Sequence, residues 1–498
     1  MNHKYVFPAS AHWALTFFTD RLVFNFTEES NSANYVCCKA VLFFLLLILW
    51  KIITEHSRET MEILKYAGIY FIPLIFVLIF KLPQGFLSND ERLIFEEAVK
   101  LMDYTWFSYL TTWYYIVSLM LIPAWFGPIL IKVLLQIFVC AYTVKRSVSL
   151  FGFIPGIFAY IPFLFFPVLA YTTSAHRIPV YFLLYAFMYV KLFYDMLEKK
   201  ELPRPQLFGM MILAAVLTQW RTEGIYLAGL FPILLLIVYP RFRELKKAAC
   251  LILVFFLIQY IISIPQNGAL PGRMGDKANN RMAPFYAYTI TNMMRNGLDR
   301  EKNGPDLEKV GRYLDLRAID RINEDLKDIN YEDVLILYYP GYTGVKEDVT
   351  PEDYNAYTEG CMNIFKNNPG VFFVTRCGAF DYAALPYKVG TDSDGIRGLA
   401  KLIFSIVKAG FYDLYIPCVL LILGWLLSVI RRNAFFFFGA SGLIAHYIIV
   451  FVLAPASYFK YYFPIYFTVY LFYVLMIIKT LRERLSGQDK GRSPEAGI

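Results

Sequence analysis

The chain has 498 residues, 57% hydrophobic and 18% aromatic, with a mean hydropathy of +0.46. Only 18% are charged, against about 25% in an ordinary soluble domain, so a soluble globular fold is excluded and a polytopic membrane protein is implied. The net charge of +8 does not point to nucleic acid, because Lys and Arg collect in short links between apolar runs and at the C-terminus, as membrane topology requires.

Residues 8–26, PASAHWALTFFTDRLVFNF, are apolar but broken by Asp20 and Arg21. That pattern predicts an interfacial amphipathic helix or a poor first span, and without a small-residue cleavage site it does not resemble a removable signal peptide. Spans are expected at about 36–53 and 66–83. An acidic segment follows, LPQGFLSNDERLIFEEAVKLMD, with Asp90, Glu91, Glu96, Glu97 and Asp103 against only Arg92 and Lys100. Carboxylates directly after a membrane exit face water or perform a function. Thr105 to Pro123 is rich in Trp and Tyr, which favour the headgroup level, and is expected to lie along the outer interface rather than to span.

Further spans are expected near 127–144, 150–171, 177–197, 206–220, 224–240, 246–264, 412–430, 434–453 and 459–479. The positive-inside rule supports this set: Lys145 with Arg146, Lys199 to Arg204, Arg241 to Lys247, Arg431 with Arg432 and the tail from Lys479 fall on one side when 105–123 does not span. The fold class is therefore an all-α polytopic bundle of about 11–12 transmembrane helices. Lys191 and Asp195, one turn apart, are expected to pair near the inner surface.

The polar region from Gln266 to Lys401 is long enough for a small extracytoplasmic domain, with a helix-like stretch at Pro305–Lys327, an apolar run at Asp333–Tyr339 and a turn at Pro340-Gly341. Of seven scattered cysteines, Cys361 and Cys377 share this region and pair only if it faces an oxidising compartment. The domain plan is an N-terminal helix and extra span (1–65), a seven-helix module (66–265) whose first external loop is 83–126, the polar domain (266–401), C-terminal helices (402–485) and a disordered tail (486–498).

Candidate chemistry rests on few residues. Asp90 and Glu91 suit a general base or metal ligand at a groove, or serve as helix-start acids. Arg221-Thr222-Glu223-Gly224 forces a tight hairpin; its charges either pair with each other or turn the Arg221 fork toward a phosphate. His176 and Arg177 precede a span on the same side, with Arg177 the better phosphate contact. Lys460 and Tyr461, in APASYFKYYFPIY, either snorkel within an aromatic belt or meet the same ligand. There is no GxxxxGK[ST], GxGxxG after a strand, HExxH or GxSxG, so nucleotide-driven and metallopeptidase chemistry find no support.

The order of these parts resembles the C-type glycosyltransferase superfamily, which includes protein O-mannosyltransferases, aminoarabinose transferases and oligosaccharyltransferase. SNDERLIFEEA is similar to the acidic motif of their first loop, Asp90 falling at the catalytic acid, and TSAHRIPVYF resembles their second external loop. The resemblance implies transfer of a sugar from a polyprenyl-phosphate carrier to an extracytoplasmic acceptor (glycan, lipid or protein), with membrane lipids as surroundings. Asp90 would be the base and Glu91 its orienter or substitute, while Arg177, Arg221 and Lys460 would receive the departing phosphate. It admits a divalent cation such as Mg or Mn, although the acid often found in the second external loop is missing here. It also implies a multi-pass protein of a bacterial plasma membrane, with a cytoplasmic C-terminus. Two rivals stand beside it. A flippase or other transporter would carry charges within spans and helices broken at corresponding places. An O-antigen ligase or polymerase-like enzyme would rely on external Arg and His.

Overall fold

The computed structural model describes residues 4–28, 30–81, 89–103, 107–266, 282–325, 344–346, 348–385 and 412–491. The expected apolar run at 333–339 and the turn at 340–341 lie outside them. Among the described residues there is no strand, only an isolated bridge between Leu314 and Val345. The chain divides into two compact units, one of residues 1–266, 420–442 and 464–498 and the other of residues 267–419 and 443–463.

In the first unit α1 (Val6–Asp20) is followed by α2 (Ser32–Glu55), α3 (Ser57–Lys81), α4 (Asn89–Val99), α5 (Tyr109–Leu121) and α6 (Gly127–Phe151). Side-chain caps start α2, where Asn31 accepts from the Ala33 N–H, and α5, where Ser108 accepts from the Leu110 N–H. Short helices α7 (Phe153–Ile157), α8 (Ile161–Leu164) and α9 (Phe166–Thr173) then lead to α10 (Ile178–Glu198), α11 (Arg204–Trp220), α12 (Leu227–Val238) and α13 (Leu245–Ile264). Pro155, Pro162 and Pro167 remove backbone donors along 153–173. The expected span at 150–171 is accordingly bent by 58°.

Among the described residues seven helices are long and apolar enough to cross a membrane, or up to eight if the bent pair is one span. The chain is thus an all-α, multi-pass membrane protein. The hydropathy pattern places eleven or twelve spans, and the difference is one of length: α11, α12 and the helix at Tyr415–Ile430 hold 17, 12 and 16 residues, at or below what about 30 Å of hydrocarbon requires. The first helix also ends at Asp20, too early to span. In the most apolar stretches of α6 and α10, 67% and 72% of residues are buried, against 22% for α2 and α3 and 17% for α13. Hence α6 and α10 form the interior, while Phe44, Ile48, Ile72, Phe76 and Leu253 turn outward as a surface suited to lipid.

The aromatic helix α5, expected to lie along the outer interface rather than to span, holds only 13 residues. Nine of its residues, among them Tyr115, Ile116 and Met120, are buried, and it packs on α2, α4, α6 and α11. Tyr and Trp fill protein cores as readily as interfaces, and here the core takes them.

The second unit contains α14 (Ala283–Arg295), α15 (Gly304–Val310), α16 (Leu316–Asp325), α17 (Pro351–Asn367) and α18 (Pro369–Ala384) around a core that includes Tyr288, Met293, Val310, Tyr357 and Ile364. Cys361 is buried and Cys377 exposed, and neither forms a disulfide. The C-terminal helices are α19 (Tyr415–Ile430), α20 (Ala434–Leu453) and α21 (Phe463–Gly491). Helix α21 continues past 486, where a disordered tail is expected, because Leu481 to Leu485 and the charged residues around them are good helix formers.

Candidate functional site

Asn89 opens α4, and Asp90 and Glu91 stand in its first turn, where carboxylates complement the N–H groups of a helix start. Consecutive helical residues point about 100° apart, so the two acids meet different surroundings. Glu91 is 1% exposed and turned into the bundle. Asp90 is half-buried and makes no hydrogen bond or ion pair with any described residue.

Glu91 is held by the turn that joins α9 to α10. Its Oε1 accepts from the Arg177 guanidinium at 2.9 Å and from the Arg177 backbone N–H at 3.4 Å, and His176 Nδ1 lies 3.8 Å from its Oε2. The Arg177 guanidinium lies over the Phe107 ring, 3.6 Å from its centre, a stacking that suits its flat, weakly hydrated group. His176 packs beside Tyr171, ring centres 5.3 Å apart.

The back of the same turn is pinned from α5 and α6. Lys132, 1% exposed, donates to the carbonyls of Ser174 and His176, and the Tyr115 hydroxyl donates to the carbonyl between them, that of Ala175, at 3.3 Å. Lys132 has no carboxylate in ion-pair contact among the described residues, although Glu91 is close enough to act on it electrostatically. Around Glu91 the turn thus gathers three basic groups, Arg177, His176 and Lys132, with Asp90 at the neighbouring position of α4. Basic groups so placed suit an anion.

A divalent cation does not fit this set. Among the described residues no group of three or more His, Cys, Asp or Glu is placed to hold a metal ion, and the partners of Glu91 are themselves cationic donors.

The remaining sequence candidates make the following contacts. Arg221 and Glu223 pair with each other through Arg221 Nε, and Thr222 donates to Glu223 at 3.1 Å. Their hairpin needs its glycine: a Cβ on Gly224 would lie 2.4 Å from the Leu217 carbonyl oxygen. The hairpin is tied to the same end of the bundle by Trp220, whose ring centre is 5.9 Å from that of Tyr114 on α5. Lys460 and Tyr461 belong to the second unit. There the Lys460 ammonium lies 4.4 Å from the Tyr458 ring centre, and the Tyr461 carbonyl meets His446 at 3.0 Å.

Lys132, read in the sequence only as a charge within a span of the kind a transporter would carry, and Tyr115 and Phe107 are absent from the site candidates. A lysine six residues into an apolar helix is a sufficient signal for the first; nothing in the sequence singles out the other two. Comparison of the chain with protein-family models, with curated proteins and with solved structures gives no match.

Proposed function

We propose that the chain is a membrane glycosyltransferase of the C type, moving a sugar from a polyprenyl-phosphate carrier to an extracytoplasmic hydroxyl acceptor. One observation carries the reading: of two adjacent acids, Glu91 is committed to Arg177, while Asp90 has no hydrogen-bond or ion-pair partner among the described residues. In this reading the acceptor O–H gives its proton to Asp90 as its oxygen bonds to the anomeric carbon. The bond from that carbon to the phosphate oxygen breaks, and the electron pair leaves with the lipid phosphate. Asp90 supplies general-base catalysis; Arg177, with Lys132 behind it, supplies positive charge where negative charge develops. Glu91 orients Arg177 instead of substituting as base. An embedded site also spares the enzyme extraction of the carrier tail, at about 0.8 kcal/mol per CH₂.

The proposal includes the finer topology: a bundle of eleven or twelve spans that counts its short helices, the polar domain of residues 266–401 outside the cytoplasm, and a bacterial plasma membrane. Its test is transfer of radiolabelled sugar from a panel of polyprenyl-phosphate sugars by purified protein in lipid, wild type against Asp90→Ala. Turnover that vanishes in the variant supports both enzyme and base; equal turnover moves the base elsewhere.

A transporter of lipid-linked sugar is the second reading, favoured by the bent span at 153–173 and the buried Lys132. Movement of donor across vesicles without turnover would select it.

A further inference from the structure

We propose that Lys132 is the positioning residue of this site: through the peptide between His176 and Arg177 it fixes where Glu91 and the Arg177 guanidinium meet. A trans peptide is planar, with its C=O and N–H pointing in opposite directions. This peptide's carbonyl accepts from the Lys132 ammonium, and its N–H faces Glu91 Oε1 at 3.4 Å. Lys132, the peptide and Glu91 therefore form one polarised line, each hydrogen bond strengthening the next. The Arg177 guanidinium closes the loop on the same carboxylate oxygen.

A lysine suits the position better than a neutral donor. Thr173 ends α9, and Ser174, the residue after it, turns its carbonyl toward the ammonium. A cation at a helix C-terminus meets the negative end of the helix dipole. An ammonium has three donors, so one side chain can bind two carbonyls one residue apart and still leave a hydrogen. The buried Lys132 amine is held by two carbonyls, lies in the field of Glu91 and makes no ion pair among the described residues. Lys132 thus holds the turn through its carbonyls.

This inference rests on the cluster being a lipid-phosphate site only for its second readout. The first needs no ligand: hydrogen exchange of peptides covering Ser174 to Ile178, in wild type, Lys132→Met and Lys132→Gln in lipid nanodiscs. Exchange there should accelerate at least about tenfold in Lys132→Met, the effect of losing a charge-assisted hydrogen bond, and less in Lys132→Gln, which keeps donors for the carbonyls. Unchanged exchange in Lys132→Met, or in Lys132→Gln should the Met variant not fold, overturns the proposal.

The second readout is binding of farnesyl phosphate, with farnesol as reference. Lys132→Met should weaken farnesyl phosphate about tenfold in the wild-type background and hardly at all in Arg177→Gln, because residues acting through one another are not additive. An equal loss in both backgrounds would show Lys132 acting independently and overturn the positioning role. Failure of the wild type to prefer farnesyl phosphate to farnesol would instead remove the phosphate-site reading, and the exchange result would still decide the role of Lys132.

Discussion

Helix α10 carries a buried polar cluster at each end, and the two are built differently. At its C-terminal end Asp195, 3% exposed, accepts from Lys191 and Tyr239, each at 2.6 Å, while Arg146 reaches it at 3.5 Å and Glu198 at 3.0 Å. Lys200 also lies 3.9 Å from Glu198, so three cations meet two carboxylates and every carboxylate has a partner. At the N-terminal end, about 30 Å away by helix rise, Glu91 meets Arg177 with Lys132 behind, and Asp90 stands outside the network. A network whose charged groups all have partners holds helices together. One with a carboxylate that has no partner among the described residues has a group available for a ligand. Both clusters are rare charges in an apolar bundle, so rarity alone does not separate structure from function; whether each carboxylate is partnered does.

The largest effect expected from this contrast is on turnover. Asp90→Asn should lower sugar transfer by about 10²–10⁴-fold, the range of a general base, without shifting the melting temperature in detergent. A matching fall in stability would place Asp90 with the structural groups and erase the contrast. Asp195→Ala should do the reverse. It strands Lys191 while Arg146 keeps Glu198, and breaking a buried pair costs about 3–5 kcal/mol, measured by chemical unfolding, while transfer per folded molecule stays the same. Lost transfer in a folded Asp195→Ala protein would mean that both ends of α10 serve the reaction.

How much of this is legible in the sequence follows from how few charges there are. Asp90-Glu91 and His176-Arg177 stand out because the chain around them is apolar, and they do meet, although 86 positions separate Glu91 from Arg177. Lys191 and Asp195 likewise pair as their one-turn spacing suggests. Which acid is committed and which is free depends on where α4 starts, because one residue of phase turns a side chain by about 100°, and composition does not set that phase. Lys132 escapes assignment for another reason: its partners are backbone carbonyls 42 and 44 positions away, and a carbonyl has no residue identity. The aromatic α5 is visible as a helix but not as a buried one, since Tyr and Trp serve either environment.

Arg221 and Glu223 test the middle of the scale. They sit at the same end of the bundle as Glu91 but pair with each other, as the Asp195 network does. Glu223→Gln should cost about 1–3 kcal/mol of stability, the penalty of a weakened buried partner, with transfer retained. Loss of transfer at wild-type stability would assign the hairpin to the site.

The smallest effect is expected where a polar cluster is exposed to water. At the start of α17 the Thr350 hydroxyl donates to Asp353 at 2.7 Å and the Thr350 N–H donates to the same carboxylate at 3.2 Å, while the Asp353 N–H returns a bond to the Thr350 hydroxyl. The hydroxyl and then the N–H of Thr350 hold the Asp353 carboxyl below its ordinary value. Because the folded value is the lower one, this contribution is present above the unfolded value, near pH ~4, and is lost as pH falls through the folded value. Thr350→Ala should destabilise the start of α17 by about 1 kcal/mol and flatten this acid dependence, read by hydrogen exchange of the Pro351–Asn367 amides across that range. A steeper loss would mean that the cap supports the packing of α17 on α15, and that an exposed polar cluster in this chain can matter as much as a buried one.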